Sequence, residues 1–430
     1  MKTKFAVYTL GCKLNFTETS YLAKLFDPEK FELVKFNAKA DIYIINTCSV
    51  TASANSKSRN IIRKAINLNP DAIIAVTGCY AQLKPDEIAD IQGVNIITGS
   101  NQKLVIRQLI EEIESKSKQI FKVDKLDAFK SFEPAFSYGD RTRSFLKVQD
   151  GCNYKCAYCT IPLARGNSRN QSIAQTINQI DELSKKQVKE VIISGINLGD
   201  FGKSTNESFK DLVQELAKTK MPRIRISSVE PNLLSPEIIE IVANSENLMP
   251  HFHIPLQSGS DQMLKIMIRR YNTDLFRSRI EFINKTIPDA FIGVDIITGV
   301  NGETDSIFQE SYKFVESLNI SELHVFSFSE RENTDILAVK PKISVKEIEN
   351  RSKLLHMLSD KKHKEFAQKN IGSIREVLWE TTKKSDKIFG FTDNYLKCET
   401  KYDSKLVNNI SKTEILEFGL SNSLVSRIIE

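Results

Sequence analysis

The amino-acid sequence predicts an α/β protein of three domains: a doubly wound parallel sheet, a partial (β/α)6 barrel and a small all-β barrel. Short apolar segments alternate with polar helical stretches in residues 1–117 and again in 143–369, and such alternation is typical of parallel sheets. The last segment, 370–430, has short strands broken by Gly, Asn and Asp, a pattern typical of a small β-barrel. At 430 residues the chain is too long for one hydrophobic core, which agrees with several domains.

Three cysteines mark the first domain, because Cys12, Cys48 and Cys79 each follow a predicted apolar strand directly. The three strands read "KFAVYTLGC", "DIYIINTC" and "AIIAVTGC". In an open, doubly wound sheet, the carboxyl ends of the strands form the edge where ligands bind. We therefore expect the three cysteines to converge at that edge, although ordinary burial of each thiol would also explain them.

The second alternating series begins after a segment, 118–142, that has no clear periodicity and is predicted to be a linker. Six apolar strands follow, from "SFLKVQDGC" to "ELHVFSFSER", and the helices between them carry start signals such as the capping box of Ser172 and Gln175. Six such units predict a partial barrel whose active site lies at the C-terminal strand ends. Cys152 follows the first barrel strand, and a long charged helix is predicted over 344–369.

Composition narrows the classes of function. Lys and Arg exceed Asp and Glu by 60 to 54, and the pI of about 8.7 permits a polyanionic partner without requiring one. The apolar runs have the length of strands, and the N-terminus enters a strand rather than a signal peptide, so we expect a cytoplasmic protein. Seven cysteines, partly clustered, favour metal or redox chemistry over disulfides in that compartment.

The stretch "DGCNYKCAYCTIP" places Cys152, Cys156 and Cys159 within eight positions. A structural zinc site needs four ligands, but the next histidine is His251 and the next cysteine is Cys398, so the spacing disfavours structural zinc. A 4Fe-4S cluster held by three thiolates leaves one iron free to bind a small molecule. Another metal, or three plain buried thiols, remain alternatives.

This Cys-x3-Cys-x2-Cys loop, with Tyr158 before its last cysteine, resembles the loop of the radical S-adenosylmethionine (SAM) enzymes. Further stretches, including "LGCKLNFTETS", "ADIYIINTCSVT", "VTGCYAQ", "HIPLQSGSD" and "GFTDNYLK", resemble the methylthiotransferases of that superfamily, most closely the tRNA threonylcarbamoyladenosine branch (MtaB type). The resemblance implies a central radical-SAM barrel and a C-terminal TRAM domain that binds RNA. It also implies SAM and two 4Fe-4S clusters, one held by Cys152, Cys156 and Cys159 and an auxiliary one held by Cys12, Cys48 and Cys79.

The same resemblance implies a reaction, in which a methylthio group is inserted at C2 of N6-threonylcarbamoyladenosine next to the anticodon. No catalytic side chain beyond the cluster ligands is expected, because a radical rather than a side-chain base must activate that C–H bond. The implied partners are the anticodon stem-loop of tRNA and an electron donor such as flavodoxin or ferredoxin. We expect no membrane association and a monomer.

Polar residues at the barrel strand ends are candidates for contacts with SAM, although each could instead belong to a turn or a cap. By analogy with the family, "SGIN" contacts the methionine amino group, while "ISSVEP" and "PLQSG" face the ribose and carboxylate. Two arginines after the cysteine loop could bind the cofactor carboxylate or a nucleotide phosphate, or lie in a solvated turn. The cofactor-binding candidates are Tyr158, Ser194, Gly195, Asn197, Ser227, Ser228, Glu230, Gln257, Ser258, Arg165 and Arg169.

Two predictions concern the C-terminal segment. Its lysines and aromatic residues could form a local RNA-binding patch, since aromatic faces stack bases and lysines neutralise phosphates, although a solvated lysine surface would look the same. The patch would comprise Lys383, Lys384, Lys387 and Lys397 around Phe391 and Tyr395. Cys398 is predicted to be a structural thiol.

Three sequence features stay open. His251 and His253 share one face of a strand and could ligate a metal, but packing or pocket lining is favoured. Relatives usually read Gly-Phe-Pro-Gly-Glu and Arg-Pro-Gly-Thr where this chain has "GVNGE" and "RENT" (331–334), which puts the shapes of those two loops in doubt.

Other functions are compatible with parts of the sequence. Within the same chemistry, the substrate could be isopentenyladenosine in tRNA or an aspartate of a ribosomal protein. A non-catalytic iron–sulfur RNA-binding protein would need fully protein-ligated clusters, which three cysteines per site argue against. A cysteine hydrolase using Cys48 or Cys79 would need a partner histidine, and residues 1–117 contain none.

Overall fold

The N-terminal domain is a six-stranded parallel sheet with helices on both faces, as predicted. The computed structural model describes residues 2–113, 119–125, 131–419 and 422–429. The strands are β1 (Thr3–Thr9), β2 (Phe31–Leu33), β3 (Ile42–Thr47), β4 (Ile73–Gly78), β5 (Ile96–Thr98) and β6 (Ile120–Lys122), in the order β2-β1-β3-β4-β5-β6. The helices are α1 (Lys13–Lys24), α2 (Ala52–Leu68), α3 (Cys79–Leu83), α4 (Pro85–Ala89) and α5 (Ile106–Glu112).

The central strands of this sheet are apolar on both faces, which is why two hydrophobic cores form. Tyr43 and Ile45 of β3 face one core, whereas Ile44 between them faces the other. Such continuous apolar strands are expected where helices cover both sides of a parallel sheet.

The predicted linker 118–142 contains two short strands, which corrects the expectation of a segment without regular structure. Strand β6 extends the first sheet, and β7 (Ala135–Phe136) pairs antiparallel with the first barrel strand. These strands have three and two residues, too short to produce a period that can be recognised in the sequence.

The central domain contains the six predicted parallel strands. They form two sheets, in the orders β12-β11-β8-β7 and β13-β14-β15, which are joined by backbone hydrogen bonds such as Val229 N to His253 O (3.0 Å). The six parallel strands are β8 (Ser144–Lys147), β11 (Glu190–Ser194), β12 (Arg223–Ile226), β13 (His251–Gln257), β14 (Phe291–Thr298) and β15 (Glu322–Ser327), while β9 (Gln149–Asp150) and β10 (Arg169–Asn170) form a separate antiparallel pair. The helices are α6 (Ile161–Arg165), α7 (Ile173–Lys185), α8 (Phe209–Ala217), α9 (Pro236–Ala243), α10 (Asp261–Ile266), α11 (Thr273–Thr286), α12 (Asp305–Ser317) and α13 (Val345–Asn370).

A local sequence signal explains where α7 begins, and the packing of α13 explains how the edge of the barrel is covered. The capping box of Ser172 and Gln175 is present at the start of α7, as predicted. The long helix α13 packs on the edge strand β15, where the Ser359 hydroxyl accepts a hydrogen bond from Leu323 N and donates one to Leu323 O, both at 2.9 Å. The helix thereby satisfies backbone groups that an open edge would leave exposed.

The C-terminal domain is a closed five-stranded barrel, as predicted. Trp379, the only tryptophan in the chain, is fully buried in its core together with Cys398, which confirms a structural position for that thiol. The strands, β16 (Ile374–Lys384), β17 (Lys387–Thr392), β18 (Lys397–Lys401), β19 (Ile410–Phe418) and β20 (Leu424–Ile428), close in the order β16-β17-β18-β20-β19.

This small barrel covers the N-terminal ends of the central strands. Arg223, the first residue of β12, donates to the backbone oxygen of Glu376 (2.7 Å), and Arg225 donates to that of Asp393 (3.0 Å). Phe391 lies 4.3 Å from the Arg143 guanidinium, and Tyr395 lies 4.8 Å from that of Arg225.

The position of Phe391 and Tyr395 corrects the predicted RNA-binding patch, because both rings are used in packing between domains. Tyr395 also contacts His251, with ring centroids 4.6 Å apart. The aromatic ring left beside a predicted lysine is Phe389, which lies 4.8 Å from Lys397 Nζ. Among the residues described, no helix is both long and apolar enough to span a bilayer.

We predict that Ile388→Ala destabilises the C-terminal barrel by about 2 to 5 kcal/mol, because Ile388 is fully buried in its core. Denaturant unfolding followed by the fluorescence of Trp379, which lies in the same core, measures this change. Ile374→Ala is the matched control, since Ile374 is 62% exposed. Equal unfolding midpoints for the two variants would contradict the assigned core.

Candidate active site between two cysteine groups

The first cysteine group forms where three strands of the N-terminal sheet end. Cys12 precedes α1, Cys48 follows β3, and Cys79 begins α3 directly after β4. Gly11 has a φ of +100°, and a Cβ on it would lie 2.8 Å from Cys48 Sγ, so the chain reaches this position only as glycine. Burial, together with the proximity of Cys79 and Cys12, raises the pKa of Cys48 to about 11.

The second cysteine group lies in the loop after β9. Cys152 Sγ accepts from Tyr154 N at 3.3 Å, and Cys159 Sγ accepts from Ile161 N at 3.5 Å, so backbone donors orient two of the three thiols. Burial raises the pKa of Cys152 to about 11 and that of Cys159 to about 12. Metal binding at such thiols must therefore displace protons.

The spacing of the sulfur atoms does not suit a single ion in either group. Among the described residues, the only three His, Cys, Asp or Glu side chains with all ligand atoms within 4.8 Å of one another are His253, Asp295 and His324. A tetrahedral zinc ion with Zn–S bonds near 2.3 Å would bring its sulfurs to about 3.8 Å. The cysteine groups are wider than that, which fits a larger cluster of several metal atoms.

A buried network of charges joins the two domains beside the cysteine groups. Glu18 of α1 pairs with Lys103, with Lys147 (2.8 Å) and with Arg165 (3.1 Å), and Arg165 also pairs with Asp150 (2.9 Å). Burial opposes ionisation of both carboxyl groups, but the surrounding cations outweigh it and hold the pKa of each below its usual range. The carboxylates are therefore ionised at neutral pH, and each bridges cations.

This network differs from the prediction for Arg165 and Arg169, which were expected to face a cofactor or a phosphate. Arg165 is fully buried and bonded to Asn15 Oδ1 (2.6 Å) as well as to its carboxylates. Arg169 donates to the backbone oxygens of Ser131 (3.0 Å) and Arg165 (2.6 Å). Both guanidiniums are thus bound within the protein. The N-terminal domain supplies Asn15 and Glu18 to Arg165, which local sequence does not reveal, whereas Arg169 is bound mainly by nearby backbone oxygens.

A cavity of about 240 Å³ lies beside both cysteine groups. Val50 and Thr51, which follow Cys48, line one part of it, and Cys159 lines another. Its remaining walls carry aromatic rings and short polar side chains, including Tyr158, Gln257, Phe326, Ser327 and Phe328. A flat, partly polar molecule of the size of a nucleobase fits such a lining.

Several of the predicted strand-end residues surround the second cysteine group. The Glu230 carboxylate pairs with Arg269, whose guanidinium also donates to Cys156 Sγ (3.0 Å) and lies 3.4 Å from the hydroxyl of Tyr158. Asn197 Nδ2 lies 4.0 Å from Cys152 Sγ. The predicted residues Glu230, Tyr158 and Asn197, together with Arg269, therefore share one site with the cysteine loop.

Two of the predicted side chains have buried oxygens without a hydrogen-bond partner, Asn197 Oδ1 and Gln257 Oε1. Buried acceptors without partners cost free energy unless a ligand or water satisfies them. Both lie at strand ends beside the cysteine loop or the cavity, so the site fits a ligand that carries N–H or O–H donors, as SAM does.

Other predicted residues have local structural roles, which agrees with the alternative that they belong to a turn or a cap rather than to a SAM site. Ser194 Oγ donates to Ile192 O (3.3 Å), and Ser258 Oγ accepts from Ser260 N (3.3 Å). A Cβ on Gly195 would lie 2.8 Å from Gln149 Oε1, so this glycine permits a close approach. Ser227 and Ser228 follow β12 at the same edge, buried and half-buried respectively.

The two histidines of β13 have different environments. His251 is buried and stacks on Phe291, with ring centroids 5.6 Å apart, so it packs as favoured. His253 Nε2 lies 2.6 Å from Asp295 Oδ1, and His324 completes the half-buried group named above. Asp295 and His324 lie two residues before Ile297 and Phe326 on their strands. This polar layer, called the polar floor, is therefore on the same face of the sheet as two residues of the cavity wall.

Three functional positions were not identified from the sequence. Arg269 follows α10 and Asp295 lies within an apolar strand, so neither carries a periodic or motif signal. Gln149 accepts from both Ile196 N and Asn197 N at 2.8 Å and thereby ties the end of β11 to the cysteine loop. The only available signal was the position of Gln149, three residues before Cys152.

Comparison with families matches residues 4–99 to Uncharacterized protein family UPF0004 and residues 146–315 to the Radical SAM superfamily. The chain is 36% identical over 425 residues to the threonylcarbamoyladenosine tRNA methylthiotransferase MtaB of Bacillus subtilis, which covers 96% of this chain and 94% of that protein. It is 35% identical over 373 residues to the MtaB of Aquifex aeolicus, covering 86% of this chain and 91% of that one.

Among solved structures, the chain is similar to the radical S-adenosylmethionine methyltransferase TsrM from Kitasatospora setae, solved with cobalamin and a 4Fe-4S cluster bound. The TM-score is 0.54, over 76% of this chain and 75% of that one. The sequences are 12% identical, so this likeness concerns the fold alone.

We predict that Glu18→Gln destabilises the metal-free protein by roughly 3 to 5 kcal/mol at pH 7, because it leaves buried cations without a carboxylate. The pKa of Glu18 is lower when folded than when unfolded, so the stability it contributes is present above about pH 4.3 and is lost as pH falls further. Denaturant unfolding followed by circular dichroism between pH 3 and 7 measures both effects.

Glu111→Gln serves as the control for this variant, because Glu111 is an exposed partner of Arg107. Its effect should stay below about 1 kcal/mol. If the two variants unfold alike at pH 7, the buried network does not hold the domains as described.

Proposed function

The chain belongs to the family of threonylcarbamoyladenosine tRNA methylthiotransferases, and we propose on that basis how its two cysteine groups act on one adenosine. It is a radical SAM transferase that acts on tRNA, with a 4Fe-4S cluster and SAM as cofactors. In our proposal Cys152, Cys156 and Cys159 hold that cluster, and Cys12, Cys48 and Cys79 hold a second, auxiliary one.

One observation supports the proposal above the others: a single cavity is lined by Cys159 of the second cysteine group and by Val50 and Thr51, which directly follow Cys48 of the first. Each group has three thiols, and the seventh cysteine, Cys398, lies in the core of the C-terminal barrel. A fourth cysteine ligand is therefore not available to either group, which leaves room for a small molecule on each. The bound clusters and SAM supply the one-electron chemistry that cleavage of an unactivated C–H bond requires.

The side chains of the site then have binding and orienting roles. The free oxygen of Asn197 accepts from the amino group of SAM, while Glu230, held by Arg269, and the free oxygen of Gln257 accept from its ribose hydroxyl groups and remaining donors. The polar floor of Asp295 and His324 suits ribose hydroxyl groups. Phe326 and Phe328 provide apolar faces for the target base and exclude water from it.

The substrate we propose is N6-threonylcarbamoyladenosine next to the anticodon, methylthiolated at C2. The relatives named for this nucleoside support it over isopentenyladenosine in tRNA and over an aspartate of a ribosomal protein. We further propose that the chain works as a cytoplasmic monomer with an electron donor such as flavodoxin or ferredoxin. A fully ligated, non-catalytic iron–sulfur protein is disfavoured by the missing fourth cysteines.

Nucleoside analysis of tRNA tests the substrate. In a strain that lacks the gene, we expect the methylthio form of threonylcarbamoyladenosine to disappear and the unmodified nucleoside to accumulate, as measured by liquid chromatography and mass spectrometry. The methylthio form of isopentenyladenosine in the same samples is the internal control. Loss of that second nucleoside instead would refute the proposed substrate.

Counting iron and sulfide after anaerobic reconstitution tests the two clusters. The wild type should bind about eight irons, and Cys152→Ala about four, because one 4Fe-4S cluster loses a ligand. Cys152→Ala should also abolish formation of 5′-deoxyadenosine from SAM. Cys398→Ala is the matched control and should keep about eight irons, since Cys398 is buried in the core of the C-terminal barrel and belongs to neither cysteine group. A wild type with only about four irons would disprove the auxiliary cluster.

A further inference from the structure

A second cavity adjoins the one between the cysteine groups. It has a volume of about 370 Å³, lies at the junction of the N-terminal domain with the loop after β15, and shares Thr160 with its neighbour. Three cations and three carboxylates line it, namely Arg59, Lys84, Arg331, Glu87, Glu330 and Glu332. Equal numbers of cations and carboxylates suggest a site without net charge, but not every cation is paired with a carboxylate.

All three carboxylates already have cationic partners. Glu87 accepts from Arg59 (3.3 Å), and Glu332 pairs with Lys84. Glu330 pairs with Lys342, 2.7 Å away and outside the lining. The three carboxylates of the cavity therefore form their ion pairs with cations other than Arg331.

Among the described residues, the hydrogen-bond partners of Arg331 are all neutral. Its Nη2 donates to Ser49 Oγ (2.8 Å), next to Cys48, and its Nε is buried without a hydrogen-bond partner. Within the described ranges, no carboxylate oxygen lies within the 4.0 Å of an ion pair with this guanidinium. A half-buried guanidinium without a counter-ion is costly, and its planar donors match a carboxylate or a phosphate.

The loop that carries Arg331 is shaped to present it. Thr334 Oγ1 donates to Arg331 O (2.5 Å), which closes a tight turn. Asn333 has a φ of +60°, a conformation that asparagine and glycine adopt at low cost. In "RENT", Asn333 therefore forms the turn for which relatives use glycine. The turn places the Arg331 guanidinium at the junction of the domains.

We propose that Arg331 binds the carboxylate that the target nucleoside carries on N6. This inference rests on the proposed function, in which the base lies in the cavity beside Cys159. C2 and C6 of adenine are both bonded to N1, so their substituents diverge from the same edge of the ring. A base whose C2 faces the cysteine groups therefore directs its N6 substituent to one side of them, where Arg331 lies beside Ser49. A threonylcarbamoyl group ends in a carboxylate, whereas an isopentenyl group is apolar, so only the first can form an ion pair with Arg331.

An oxyanion at this site could also come from the phosphate backbone of the RNA, and the test separates the two sources. Anticodon stem-loop RNAs are prepared with threonylcarbamoyladenosine, with its carboxylate methyl ester, or with plain adenosine. Their affinities for the anaerobically reconstituted protein are measured by fluorescence anisotropy. The variants are Arg331→Gln, the charge-retaining Arg331→Lys, and Arg59→Gln, which alters a paired arginine of the same cavity.

We expect the wild type to prefer the carboxylate over its ester by about tenfold or more, the range of a charge-assisted hydrogen bond in a partly buried site. Arg331→Gln should reduce the preference to about twofold or less, while Arg331→Lys keeps part of it and Arg59→Gln keeps most. Circular dichroism melts of the variants show whether each is folded.

Three results would overturn the inference. An equal loss of affinity for all three RNAs in Arg331→Gln would assign the anion to backbone phosphate. A carboxylate preference that survives in Arg331→Gln would place its receptor elsewhere. A wild type that binds acid and ester equally, yet methylthiolates the acid, would refute the role of Arg331 and leave the proposed function intact; no methylthiolation of any RNA would refute the function itself.

Discussion

The buried charge network around Glu18, Asp150 and Arg165 fixes the geometry on which the rest of the site depends. Glu18 lies on the helix that follows Cys12, while Asp150 and Arg165 flank the loop of the second cysteine group. Buried ions are costly to desolvate, and only close, well-oriented partners offset that cost. The two domains therefore have one favourable relative position, and it places both cysteine groups beside one cavity.

The same burial shapes the chemistry of the thiols. Without metal, the raised pKa values of Cys48, Cys152 and Cys159 keep these groups protonated and unreactive. Assembly of a cluster must release their protons, so it is coupled to pH and to the supply of metal. Arg165 and Arg269 are positive groups close to the two sets of sulfurs, and they favour the thiolate state once a cluster is bound.

Features encoded locally could be predicted from the sequence, and features that arise when domains dock could not. The position of Cys12, Cys48 and Cys79 follows from strand periodicity, because parallel strands end at one edge of a sheet. Arg165 takes Asn15 and Glu18 as acceptors, and Phe391 packs on Arg143, so part of the environment of each comes from another domain and leaves no signal in the neighbouring sequence. Strands as short as β6 and β7 depend on pairing with neighbouring strands for their existence.

The C-terminal barrel lies at the opposite end of the central strands from the cysteine groups. A strand such as β13, with seven residues, spans about 23 Å. Any single ligand that touches both ends must be at least that long, which a free nucleoside is not and a folded stem-loop is. Contact with both the cysteine groups and the C-terminal barrel is therefore open only to a ligand much larger than the target base.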